Sequence, residues 1–199
     1  MDTSKSKAGG TTPRRARLRV RLLDAMAEQT LVRIHRASDT THRHEGYVVG
    51  VGSAWVLLAV LDPRIELDGW TALRLDDLLR VKRLGGPEAF PARALRRRGQ
   101  WPSTAVPLDL DDDGELLRSA GRCAPLVTVH TDVLDASVCF IGEVVSVDDT
   151  TATLQTIDPD AVWEEHTDDW LLADITRVDV LGGYEGALAL VALPRRGVG

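Results

Sequence analysis

The sequence predicts a mainly β protein of the α+β kind: two tandem small five-stranded barrels, each preceded by a short helix. Three observations predict it. Short β-prone runs alternate with turn signals. A breaker-free amphipathic stretch precedes the first run. The whole pattern then returns about 96 residues later.

Taken in order, residues 1–13 are small, polar and Gly/Pro-punctuated, which predicts a disordered tail. Arg14 to Gln29 opens the first unit, 14–90, as a helix, because Leu18, Leu22, Ala25 and Met26 share one face. Leu31–Ile34, Tyr47–Val51, Trp55–Leu61, Leu73–Leu75 and Leu78–Arg83 are the expected strands. Gly52-Ser53, Asp62-Pro63, Asp68-Gly69 and Gly85-Gly86 supply the turns around them. Pro91, Pro102 and Pro107, with Arg96-Arg97-Arg98, make 91–109 a linker. A second unit, 110–193, starts with Asp111-Asp112-Asp113 ahead of a short helix, Glu115–Ala120, where carboxylates suit the positive end of the helix dipole. Residues 194–199 form a tail.

The second unit repeats the first in order. "LVRIH" at Leu31–His35 returns as "LVTVH" at Leu126–His130, and "GYVVGV" at Gly46 as "GEVVSV" at Gly142. Asp62-Pro63 returns as Asp158-Pro159, and "DLLRV…LGGPE" as "DITRV…LGGYE". The spacing drifts from 95 to 97 residues one step at a time, which chance similarity of β-rich stretches would not maintain. The shared residues are mostly turn and core formers.

The order helix, strand, long bent strand pair, closing strands resembles the Sm-like small barrel of Hfq-type proteins, a pattern that other SH3-like barrels share. "GEVVSVDDTTATLQTID" looks like the central hairpin of that family and "WLLADITRV" like its closing strands. The resemblance implies a five-stranded barrel and an RNA-associated role. The Asp-plus-Asn uridine corner is unmatched: Asp148-Asp149-Thr150-Thr151 lacks the Asn, and Gly52-Ser53-Ala54-Trp55 lacks both. No RNA-binding residue carries over.

Charge divides the halves. Residues 1–99 hold 19 basic and 11 acidic groups, whereas 100–185 hold 3 and 19. Such opposite fields favour docking of one half on the other, within a chain or between chains. A protein partner or self-association is therefore expected, with nucleic acid as the alternative, through Arg14, Arg15, Arg17, Arg19 and Arg21 on the first helix. No apolar run is long enough for a membrane helix. Two cysteines, Cys123 and Cys139, are too few for a disulfide framework, so the expected location is the cytoplasm. Arginine outnumbers lysine 21 to 3, a bias that points to a GC-rich bacterial genome.

Six residues recur as a candidate ligand or partner surface. His35 and His130 occupy equivalent places; each reads as a paired site or as a strand histidine bonded to backbone. Asp77 with Arg80 and Asp174 with Arg177 could pair across a turn, or be a turn-capping Asp followed by a solvated Arg. His42 and His44 share a strand side and with His35 nearby could bind zinc or nickel, but a lone His-x-His in a polar loop is a weak signal and no metal is expected. Asp76-Asp77 and Asp168-Asp169 are adjacent, so their side chains point to opposite faces and do not converge for acid–base work. With no phosphate loop, Cys-x-x-Cys or nucleophile elbow, the sequence predicts a binding or scaffolding protein without a cofactor, and not an enzyme.

Overall fold

The computed structural model describes residues 13–192. The tail expected at 1–13 lies outside the described residues except for Pro13, and the tail expected at 194–199 lies outside them entirely. Helix α1 (Pro13–Ala27) starts on its proline, where a missing N–H costs nothing. It buries Leu18, Leu22 and Ala25, the face expected from their spacing. Strands β1 (Leu31–Arg36), β2 (His44–Val51), β3 (Trp55–Leu61), β4 (Leu67–Arg74) and β5 (Leu78–Gly85) follow. Helix α2 (Phe90–Arg98) overlaps the start of the stretch expected to be a linker. Its Leu95 is fully buried against Leu31 and Tyr47, and Gly99 ends it in the left-handed region.

Helix α3 (Asp113–Cys123) is longer than expected, and the Asp112 carboxylate caps it through the Gly114 and Glu115 amides at 2.9 and 3.0 Å. The second set of strands is β6 (Val127–His130), β7 (Cys139–Val147), β8 (Thr151–Ile157), β9 (Trp163–Leu171) and β10 (Arg177–Val180). A one-turn helix α4 (Asp132–Asp135) follows β6, and α5 (Gly183–Val191) ends the described chain. No described helix is long and apolar enough to cross a membrane.

The duplication holds at the level of single atoms. A Cβ on Gly46 would stand 2.3 Å from the Ala59 carbonyl oxygen; a Cβ on Gly142 would stand 2.3 Å from that of Gln155. The β2–β3 and β7–β8 ladders both slip register two residues beyond those glycines, between Val48 and Gly50 and between Val144 and Ser146. Asp62 accepts from the Arg64 and Glu66 amides, and Asp158 from those of Asp160 and Val162. The residue that reverses each of these turns, Ile65 or Ala161, has positive φ. The repeat also includes the helices that the sequence reading left out. Leu95 of α2 packs with Leu61 and Leu67, and Leu188 of α5 packs with the equivalent Ile157 and Trp163.

Each unit has its five strands, but the two sets are not separate sheets. All ten make one open antiparallel sheet in the order β5-β1-β2-β3-β4-β10-β6-β7-β8-β9. The halves join where β4 pairs with β10, from Trp70 opposite Val180 to Leu73 opposite Arg177. Burial explains the join. Trp55, Leu57 and Ala72 of the first half share one apolar cluster with Leu116, Val129, Leu154 and Val178 of the second. Leaving the halves apart would return that surface to water. The seam also explains why β4 begins earlier than expected. Asp68-Gly69 reads as a turn, yet Gly69 at φ +67° lies within the strand, with the Val180 carbonyl and Gly182 backbone where a Cβ would be.

Candidate functional site

Polar chemistry gathers along this seam. Arg177 and Asp179 are two apart on β10, so their side chains share one face and bond through Nε–Oδ1 at 2.8 Å and Nη2–Oδ2 at 2.5 Å. His130 Nε2 lies 3.2 Å from Asp179 Oδ2, and the Thr71 hydroxyl of β4 donates to Asp179 Oδ1. Burial pushes the Asp179 carboxyl up, but the Arg177 charge and the hydrogen bonds from His130 and Arg177 outweigh it. The carboxyl is held well below the usual range.

Beside this cluster, Arg36 is completely buried. Its Nη1 lies 2.7 Å from Asp132 Oδ2 of the second half and 3.4 Å from Asp77 Oδ2 of its own. Its Nη2 has no hydrogen-bond partner, and the Asp39 carboxylate is 3.8 Å from it. Its Nε donates to His44 Nε2 at 3.0 Å. Burial, then the Arg177 and Arg36 charges, push His44 down to about 3, so the ring is neutral and accepts this bond. Asp132 also accepts from the Thr176 hydroxyl at 2.5 Å. Burial raises its pKa, and these hydrogen bonds with the Arg36 charge bring it below its ordinary value.

The six repeated residues divide between two places. His130 pairs across the ladder with Arg177 at the seam, and His35 pairs with Arg80 at the outer edge of the sheet. The acidic partner is kept only in the first case. Burial, then Arg43, Arg80, Arg33 and Lys82, lower the His35 pKa. Neither Asp/Arg pair forms across its turn. Asp77 accepts from the Ser38 amide at 2.8 Å and from Arg36, and Arg177 turns to Asp179 instead of Asp174.

Of the helix arginines, Arg14 donates to the Leu78 carbonyl, Arg15 pairs with Asp76 at 2.9 Å, and Arg19 donates to the Gly52 carbonyl at 3.2 Å. They tie α1 to the sheet, while Arg17 and Arg21 are exposed. Sequence reasoning missed Arg36, Asp132 and Asp179. Only the last had a local signal, the Arg-x-Asp spacing on one strand face.

A cleft of about 610 Å³ opens on the seam, lined by Arg43, His44, Trp70, Arg177, Asp179 and Glu185. Cys139 stands opposite His130 in the β6–β7 ladder. Burial pushes its thiol up, which leaves the protonated, weakly nucleophilic form. His42 is held by Asp39 at 2.8 Å, and no three metal-ligating side chains converge among the described residues. The seam charges are thus spent on one another.

The sheet's two ends are a second candidate surface. Edge β5 exposes Arg80, Lys82 and Arg83; edge β9 exposes Glu164, Glu165, Asp168 and Asp169. An unpaired strand edge offers a row of backbone donors and acceptors to another strand. The fold and these surfaces define a duplicated open-sheet β protein with oppositely charged edges. No family model, curated protein or solved structure matches the chain.

Proposed function

We propose that this is a non-enzymatic binding or scaffolding protein, built from two diverged Sm-like barrel units of opposite charge, which takes partners at its sheet edges in the cytoplasm. One observation carries the reading: the ten-stranded sheet ends on a basic strand on one side and an acidic strand on the other. Strand addition at an open edge gives affinity through backbone bonds and specificity through side-chain charge. The test is a titration of the chain with short β-prone peptides, followed by amide exchange. An acidic peptide should protect the Arg80–Arg83 amides, and a basic one those of Thr167–Trp170. Protection at neither edge with either peptide removes the reading.

A second reading, association with nucleic acid (RNA above all), is favoured by the position of α1. The helix packs against β2 and β5, and its Arg17 and Arg21 are exposed and add to the basic character of the first unit. Loss of several phosphate contacts weakens binding steeply and flattens its salt dependence. Arg17→Glu with Arg21→Glu tests it by a mobility shift over a salt series. An unchanged affinity and salt slope dismiss it.

A further inference from the structure

We infer that the second unit carries, on the face of its sheet, a binding site for the arginine side chain of a partner protein. The site is a cleft of about 750 Å³ formed by the start of β7, the end of β8, β9 and α5. It uses side chains on the sheet face, not the backbone edge of the reading above. The duplication identifies it, because this cleft and the seam cleft are the same place in the two units. Leu61, Asp62 and Pro63 line the first; Ile157, Asp158 and Pro159, at the repeat spacing, line the second. Arg43 and His44 of the first answer to Cys139 and Phe140 of the second. Thr71 lies opposite Leu58 and Asp168 opposite Leu154, so those two residues are equivalent as well. Tyr184 lines both clefts, which are therefore neighbours.

The two clefts differ in their far wall. Beyond β4 the sheet continues into β10, which brings the Arg177 guanidinium to the first cleft. Beyond β9 the sheet ends, and among the described residues no arginine or lysine lines the second cleft. Its rim holds the exposed carboxylates Glu164, Glu165 and Asp168. Among the described residues none of the three is in an ion pair within the chain. Asp168 Oδ2 accepts from the Thr156 hydroxyl at 3.1 Å, which leaves Oδ1 open. Glu164 and Asp168 share a strand face, and a planar guanidinium fork suits carboxylates better than a lysine ammonium does. Phe140, Ile157 and Leu188 supply apolar wall for the aliphatic stem, and the exposed Tyr184 ring is favourable beside a guanidinium. In the first cleft the guanidinium arrives on polypeptide. The ligand of the second is accordingly an arginine of a partner segment, not a free cation.

The test is an NMR titration of the full chain with the capped peptide Gly-Gly-Arg-Gly-Gly, followed on the backbone amides. Glycine flanks disfavour strand addition, so the peptide reports the cleft and not the edge. Saturable shifts should gather at Cys139–Ile141, Thr156–Asp158, Glu164–Asp168 and Tyr184. The same peptide with citrulline, neutral and of the same shape, should bind about tenfold more weakly, and the lysine peptide should fall between the two. Asp168→Asn should weaken the arginine peptide about tenfold. Asp169→Asn is the control, because Asp169 has the same charge on the same strand but bonds to Thr153 on the opposite face, and it should leave the affinity unchanged. The amide spectrum of each variant separates a lost contact from a lost fold. Absence of saturable shifts in the cleft overturns the inference. So does an equal effect of the two variants, which makes the attraction a general field, or propylguanidinium binding more tightly than the peptide, which makes the ligand a small cation. If the glycine-flanked peptide fails while β-prone peptides still protect the edge amides, the edge-binding reading stands and only this site is lost.

Discussion

Arg36 Nη1 of the first unit lies 2.7 Å from Asp132 Oδ2 of the second, with both side chains almost entirely out of water. A buried ion pair is a weak net stabiliser, but removing one member strands the other. Asp132→Ala should therefore cost about 3–5 kcal/mol in urea unfolding. Arg36→Met should cost at least as much, because it leaves both Asp132 and Asp77 without their cation. A cost under about 1 kcal/mol for Asp132→Ala would show that water reaches the guanidinium.

The paired glycines give a second prediction. Gly46→Ala and Gly142→Ala each force a methyl onto a carbonyl oxygen 2.3 Å away, with backbone and not a mobile side chain in the way. Each should cost about 2 kcal/mol or more. Gly186→Ala is the control, since nothing lies within 4 Å of its added carbon and the residue is within α5. It should be neutral or slightly stabilising. Thermal unfolding of the three variants decides the matter.

Acid should unfold the protein in two stages. His44 sits at about 3 in the folded chain against 6.5 ordinarily, so between those values the unfolded chain binds a proton that the folded chain refuses. Its contribution is complete above pH 6.5 and declines below it, by at most about 1.4 kcal/mol per pH unit. Asp39, Asp132 and Asp179 are lowered carboxylates. Their contribution is present above their ordinary 3.8 and is lost as pH falls further. His44→Gln should flatten the first stage and leave the second. Unfolding free energies from pH 7 to 3 would reveal an unaltered first stage if another group were responsible.

Hydrogen exchange should order the strands. β10 has a paired neighbour on both sides and buries Val178 and Val180, whereas β9 is paired on one side only and most of its residues are exposed. In dilute, high-salt solution the amides of Val178 and Val180 should outlast every β9 amide. Equal exchange would mean that the seam opens with the edges.

Much of the fold was legible because it is local. The face of Leu18, Leu22 and Ala25, the run Trp55–Leu61 and the Asp62 turn are written within a few residues of one another. The repeat was legible because Gly46 and Gly142 answer the same steric demand. The single sheet was not, since the β4–β10 pairing joins residues about a hundred apart and Gly69 looks like a turn until its neighbour across the seam is known. Helix α2 was hidden by its flanking prolines. At the site, His130 and Arg177 stood out by repetition. Arg36 and Asp132 did not, because their counterparts at the 95-residue spacing, Thr131 and Ala37, carry no charge.

The shared apolar cluster around Trp55, Leu116 and Val178 has one more consequence. Its two sides belong to one polypeptide, so their encounter is a first-order event whose local concentration is set by the connecting chain and not by the amount of protein. Dilution cannot part the halves. The internal joint is therefore permanent: at any concentration the basic and acidic units are delivered together, in fixed proportion, by a single molecule.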